Sequence, residues 1–245
     1  MNCRTLWILP AVVALAFVAG HAAAQGVVAG PIPVYNWDFE MAYDYSGTGA
    51  PWEFSTRSVP DELAIPGWTR VGYSPGEPGI YDWTGVGPCT YFAVSPDPNV
   101  GLYCAYSNGG EIRQILDGRY ADHGVPAACL ALGTDYTLRV DGGWMTGDGG
   151  GQFNGRIELW AGEVRLGSET MVKPVQGYWA PTTLTIAAQT IAALDGVESA
   201  YGVPLEIRLI STSIRTCFDN VQLWATPVPE PAMMSLLALG GLAML

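Results

Sequence analysis

Apolar and polar residues alternate one by one through much of the chain, the pattern of strands with one buried face. Tyr136, Leu138 and Val140 face one way while Thr137, Arg139 and Asp141 face the other, and Leu205, Ile207 and Leu209 repeat the pattern. Strands are expected at Tyr35 to Ala42, Trp68 to Val71, Tyr136 to Asp141, Thr182 to Ala187 and Leu205 to Ile210. Two hairpins are expected as well. Val100 to Tyr106 would pair with Glu111 to Leu116 across Ser107-Asn108-Gly109-Gly110, residues that accept positive φ at little cost, and Arg156 to Trp160 with Glu163 to Leu166 around Ala161-Gly162. Gly72 to Pro88 reads as a loop because of its Gly and Pro content, and Gln189 to Ala200 as a short helix. About eight to ten short strands at this spacing predict an all-β fold, a two-sheet jelly-roll sandwich.

The last strand, Thr216 to Trp224, closes that body. Val221 and Leu223 alternate with Asn220 and Gln222, and Asp219 falls in phase with the apolar pair, which predicts an inward carboxylate in need of a partner. Glu40, at the end of Asn36-Trp37-Asp38-Phe39-Glu40, could meet it if the first and last strands are neighbours.

Beyond the sandwich, assigned to residues 25–226, the two ends look like address labels. Arg4, the apolar run Leu6 to Val18 and Ala22-Ala23-Ala24 follow the order of a secretory signal, over residues 1–24. At the other end, Pro227-Val228-Pro229-Glu230-Pro231 precedes an apolar run to Leu245. This tail, residues 227–245, resembles a PEP-CTERM sorting signal, also described as an ice-binding-protein C-terminal domain. The resemblance implies that Pro229, Glu230 and Pro231 are recognised by an exosortase-type membrane protease, with transient membrane association and a final place at the cell surface or in the extracellular matrix. The basic residues that end this signal in the family are missing after Leu245, so the tail reads as clipped.

Charge and cysteines sharpen this picture. The net charge is -12 and Lys173 is the only lysine, which excludes nucleic acid as a partner. In an oxidising compartment the remaining cysteines, Cys89, Cys104, Cys129 and Cys217, are expected to form two disulfides. Three pairings are possible, and the favoured one joins Cys89 to Cys104 and Cys129 to Cys217. A zinc site is disfavoured because no two cysteines have C-x-x-C spacing.

Asn36, Phe39 and Glu40, the turn Ile65 to Trp68, Gln114, the run Gly133 to Leu138 and Phe218 to Val221 together resemble galactose-binding-like jelly rolls, including several carbohydrate-binding modules. The resemblance implies a structural calcium between the first and last strands, held by Glu40 and Asp219 with backbone carbonyls. Calcium wants six to eight oxygens, so two carboxylates alone would not suffice.

No His-Glu-x-x-His motif is present, and His123 stands alone in its loop. Glu111, Glu158, Glu163 and Glu206 could serve a glycosidase, but exposed strand faces carry such residues routinely. The expectation is therefore a non-catalytic domain that binds extracellular polysaccharide through Tyr81, Trp83 and Tyr91, flat rings suited to the C-H face of a sugar. The alternative is a structural matrix protein with no dedicated ligand.

Overall fold

The computed structural model describes residues 29–39, 65–71, 79–82, 103–107, 109–144, 153–212 and 216–229. The expected leader, most of the tail, Glu40, Trp83, Cys89, Tyr91, Glu230 and Pro231 lie outside them. The described strands are β1 (Gly30–Ile32), β2 (Thr69–Val71), β3 (Gly79–Asp82), β4 (Tyr103–Ser107), β5 (Gly110–Ile115), β6 (Thr134–Trp144), β7 (Gly155–Ala161), β8 (Val164–Thr170), β9 (Trp179–Ile186), β10 (Leu205–Ser211) and β11 (Thr216–Pro227). They form two antiparallel sheets in a jelly-roll-like sandwich. Sheet I has the order β3-β4-β11-β6-β9, with β1 also on β11, and sheet II has the order β2-β5-β10-β7-β8. The expected helix shrinks to α1 (Ala188–Ala192) and a short 3-10 turn at Val197–Ser199. Among the described residues no helix is long and apolar enough to cross a membrane.

The period-2 pattern explains the core. Leu138 and Val140 from β6, Leu184 and Ile186 from β9, Ile157 and Leu159 from β7, and Leu205, Ile207 and Leu209 from β10 meet between the sheets. Two glycines let other groups come close there. A Cβ on Gly142 would stand 2.7 Å from Met171 Cε, and one on Gly167 would stand 2.7 Å from Ile186 Cδ1. Burial pushes the Tyr136 phenol up from its ordinary value, against the opposing hydrogen bond that its oxygen accepts from Ala131 N–H at 2.9 Å.

The chain ends do come together. β1 pairs with β11 from Gly30↔Ala225 to Ile32↔Leu223, and Phe39 and Val221 share the core. The expected first strand at Tyr35 to Ala42 is corrected: over its described part the chain turns, with φ of 48° at Asn36 and 55° at Phe39. Gln114 explains why. Its side-chain oxygen accepts Tyr35 N–H at 2.9 Å, and its amide nitrogen donates to Tyr35 O at 2.8 Å and Gly67 O at 3.1 Å. The side chain thus replaces a strand neighbour and ties the N-terminal turn to the turn at Ile65 to Trp68.

Two other expectations change. Gly72 to Pro88 contains β3. Tyr103–Ser107 and Gly110–Ile115 form no hairpin, because β4 has β3 and β11 on its two edges while β5 has β2 and β10 on its own. β4 thus lies in sheet I and β5 in sheet II. The hairpin of β7 and β8 is as expected.

Replacing Gln114 with Leu keeps the volume but leaves the buried Tyr35 backbone groups without these partners. Chemical unfolding should show a loss of about 2–4 kcal/mol. A change within ~0.5 kcal/mol would show that the side chain does not hold the turn.

Candidate active site

β11 changes face at its middle. Asp219 pairs with Asp141 and Gln222 pairs with Arg139, so Asn220 and Val221 together stand opposite Val140. This is a β-bulge, which re-aims side chains. Before it, Phe218 points into the core; after it, Val221 and Leu223 do. Asp219 is therefore on the outer face of sheet I, and the sequence-based phase that sent it inward is corrected. Asn220 takes up the irregularity with φ of 51°, a left-handed conformation that Asn tolerates better than most residues. The N–H of Val221 donates to Trp37 O at 2.9 Å, so the N-terminal turn seals the bulge.

At this point two carboxylates stand directly opposite each other. Asp141 is 3% exposed and Asp219 0%, although both face away from the inter-sheet core. Asn220 bridges them. Its backbone N–H donates to Asp219 Oδ1 at 2.6 Å, and its side-chain amide donates to Asp141 Oδ2 at 2.9 Å. Gln222 Nε2 donates in turn to Asn220 Oδ1, and Arg139 Nη2 lies 3.1 Å from Asp141 Oδ1.

The same end of the face carries Cys104 and Tyr106 from β4, Cys217 from β11 and Trp179 from β9, all buried. At its other end the face is open, with Thr183 and Thr185 exposed. The burial is thus local to the carboxylate pair, where rings and thiols border an acidic spot.

The outer face of sheet II is built differently. Glu111, Glu158 and Glu206 meet there, but Arg113 pairs with Glu111 and Glu206, Arg208 with Glu206, and Arg156 and Arg165 with Glu158. Arg208 also stacks on Trp160, 3.8 Å from the ring centroid. Each carboxylate has its counter-charge, which suits a structural ladder better than a glycosidase pair.

The disulfide expectation changes in part. Cys129 and Cys217 are free thiols. Tyr136, whose hydroxyl lies 3.5 Å from the Cys129 carbonyl, and Gly143, which pairs with Cys217, are at opposite ends of β6. Seven strand residues separate them by about 23 Å, far beyond the ~7 Å Cα limit of a disulfide. Tyr81 pairs with Cys104 through the β3–β4 backbone. Of the calcium pair only Asp219 is described, and among the described residues no three metal-ligating side chains come together.

The comparisons redirect the functional reading. The family model HpiC1-like, described as HpiC1 cyclase, matches residues 30–224. A Stig cyclase, Fisc, from Fischerella sp. TAU, solved with (3Z)-3-(1-methyl-2-pyrrolidinylidene)-3H-indole, is similar at a TM-score of 0.57 and 24% identity, over 82% of this chain and 100% of that one. A cyclase from the same organism, solved with 4-(1H-indol-3-yl)butan-2-one, is similar at a TM-score of 0.56 and 22% identity, over 81% and 98%. A structure described as CBM4 reaches a TM-score of only 0.35 at 12% identity, over 79% of this chain and 100% of that one. No curated protein matches.

These findings overturn the expectations of a PEP-CTERM, exosortase-processed surface protein and of a non-catalytic carbohydrate-binding domain. The family that spans the sandwich is one of cyclases. Hydrolase motifs are a poor guide to such a family, because closing a ring by proton transfer needs neither a serine nucleophile nor a zinc-bound water.

The thiols offer a direct check. Under non-reducing conditions the native protein should label at Cys129, which is partly exposed, while Cys217 should react only after denaturation. Mass analysis that found a Cys129–Cys217 link would contradict the structure.

Proposed function

Because the chain belongs to the HpiC1-like cyclase family, we propose that it is an acid-promoted cyclase acting on an unsaturated, indole-bearing substrate, with Asp219 as the acid and Asp141 as its partner. The observation that carries this reading is the buried pair of facing carboxylates, bridged by Asn220, on the outer face of sheet I. Like charges this close in a dry site do not both ionise readily, so the pair favours holding one proton. The indoles bound by the two Fischerella cyclases support the substrate class.

The chemistry balances without a co-reactant. Asp219 gives its proton to a substrate double bond and leaves a cation, which the electron pair of another double bond or of the indole attacks to form the ring bond. The cation then loses a proton to the carboxylate pair, so the product is an isomer of the substrate and the enzyme is restored. Trp179 and Tyr106 are placed on this face to stabilise the cation through their rings. Burial of the site keeps water from capturing it.

Calcium enters the proposal only as a stabilising ion, with Glu40 contributing a carboxylate and no step passing through the metal. Asp219 stands opposite Asp141 and serves the pair. Metal-stripped protein should melt at a higher temperature once calcium is added. Equal melting temperatures would remove the ion from the reading.

The main test uses a panel of indoles carrying alkenyl side chains, with products of unchanged mass distinguished by NMR. Asp219→Asn should lower turnover by ~10²–10⁴-fold while binding of 4-(1H-indol-3-yl)butan-2-one persists. Wild-type turnover in that variant, or no cyclised isomer from any member of the panel, would overturn the proposal.

A further inference from the structure

We infer that the outer face of sheet II is a docking surface for an acidic polypeptide segment, an inference that stands apart from the acid pair on sheet I. Among the described residues this face carries four arginines, Arg113 from β5, Arg208 from β10, Arg156 from β7 and Arg165 from β8, against Glu111, Glu158 and Glu206. The two signs lie at different depths. Glu158 and Glu206 are buried, whereas the side chains of Arg165 and Arg156 are 54% and 45% exposed. A partner therefore meets guanidinium, on a chain whose net charge is -12.

The buried glutamates also hold the arginines in place. Arg156 Nε lies 2.9 Å and Arg165 Nη1 3.5 Å from Glu158 Oε1, while Arg208 Nε and Arg113 Nε approach Glu206 Oε1 at 2.6 and 3.7 Å. Two anchored pairs result. A guanidinium fork takes a carboxylate through two parallel hydrogen bonds, and a fork already held loses little freedom on binding. Glu206 stands opposite Trp160 and Glu158 opposite Arg208, so the two anchors are diagonal neighbours, about 7–8 Å apart. Carboxylates two residues apart on an extended strand are spaced by about 7 Å and match them.

The apolar neighbours favour a polypeptide over a polyanionic glycan or a nucleic acid. Ile115 is 41% exposed and stands opposite Glu206, where it offers contact to an aliphatic side chain. Trp160 has Arg208 stacked 3.8 Å from its ring centroid, so that face of the ring is closed to a sugar or a base.

The test titrates the full chain into a fluorescent peptide of alternating glutamate and valine and follows anisotropy at an ionic strength of about 0.02 M. The overall charge of the protein opposes this peptide, so saturable binding has to come from a local positive surface. Arg156→Gln combined with Arg165→Gln should weaken binding by about tenfold, and about 0.3 M salt should weaken it further. Lys173→Gln, on the linker between β8 and β9, should leave it unchanged. Where the double glutamine variant does not fold, Arg156→Lys with Arg165→Lys keeps the charge beside Glu158, deletes the forks and should cost about threefold. Absence of saturable binding, binding that the folded arginine variants do not weaken, an equal loss in Lys173→Gln, or tighter binding of alginate or duplex DNA than of the peptide would overturn the proposal.

Discussion

The site depends on one irregularity, the two-residue bulge at Asn220–Val221. A strand that kept its register through this point would send Asp219 into the core along with Val221 and Leu223, where a carboxylate has nothing to meet but hydrocarbon. The bulge lets the apolar residues on both sides of it face inward while the acid faces out. It also leaves a backbone N–H with no partner on β6, and Trp37 O supplies one. The N-terminal turn is thus part of the site's construction, although its own residues are not the chemistry.

That turn is held by polar contacts rather than by a ladder. Gln114 satisfies both backbone groups of Tyr35, Asn36 Nδ2 donates to Pro66 O at 3.0 Å, and Trp68 Nε1 donates to Asn36 O at 3.3 Å. Tyr35 in turn stacks on Tyr120 with ring centroids 4.1 Å apart. A buried network of this kind specifies one arrangement strongly when every member is satisfied. Gly67 shows how tight it is: with φ of 85°, a Cβ there would fall 2.2 Å from the Tyr35 ring.

Much of the sandwich was legible because burial on one face of a strand writes itself into the sequence as period-2 alternation. β6, β7, β8, β9, β10 and β11 all show it, and Phe39 and Val221 meet as the closing pattern suggested. Partner choice was less legible. The Asn-Gly-Gly link after Ser107 has the composition of a hairpin turn, yet the edges of β4 and β5 are taken by other strands, a long-range fact that no local signal records. The direction of Asp219 was misread for a related reason, since a bulge breaks the period on which the reading depends. What the sequence did contain was Asp141 at a polar position on the cleanest alternating strand, and Asp-Asn at a point where the last strand's apolar phase shifts between Phe218 and Val221. Those two signals together mark the carboxylate pair.

The two outer faces show why a carboxylate's neighbours, more than its burial, separate structure from chemistry. Glu158 is 2% exposed, close to the 3% of Asp141, so solvent removal alone does not distinguish them. Glu158 has Arg156 at 2.9 Å, Arg165 at 3.5 Å and the Trp160 Nε1 donor at 2.7 Å, and that set ties it to its own and the neighbouring strand. Asp141 has Arg139 and the Asn220 amide beside it, and the group across the strands from it is a second acid. Two acids sharing a water-poor site are pushed toward opposite protonation states, and a group poised in that way can give up a proton and recover it. On that ground the proposal places the chemistry on sheet I, while the larger collection of charge on sheet II pairs across its own strands.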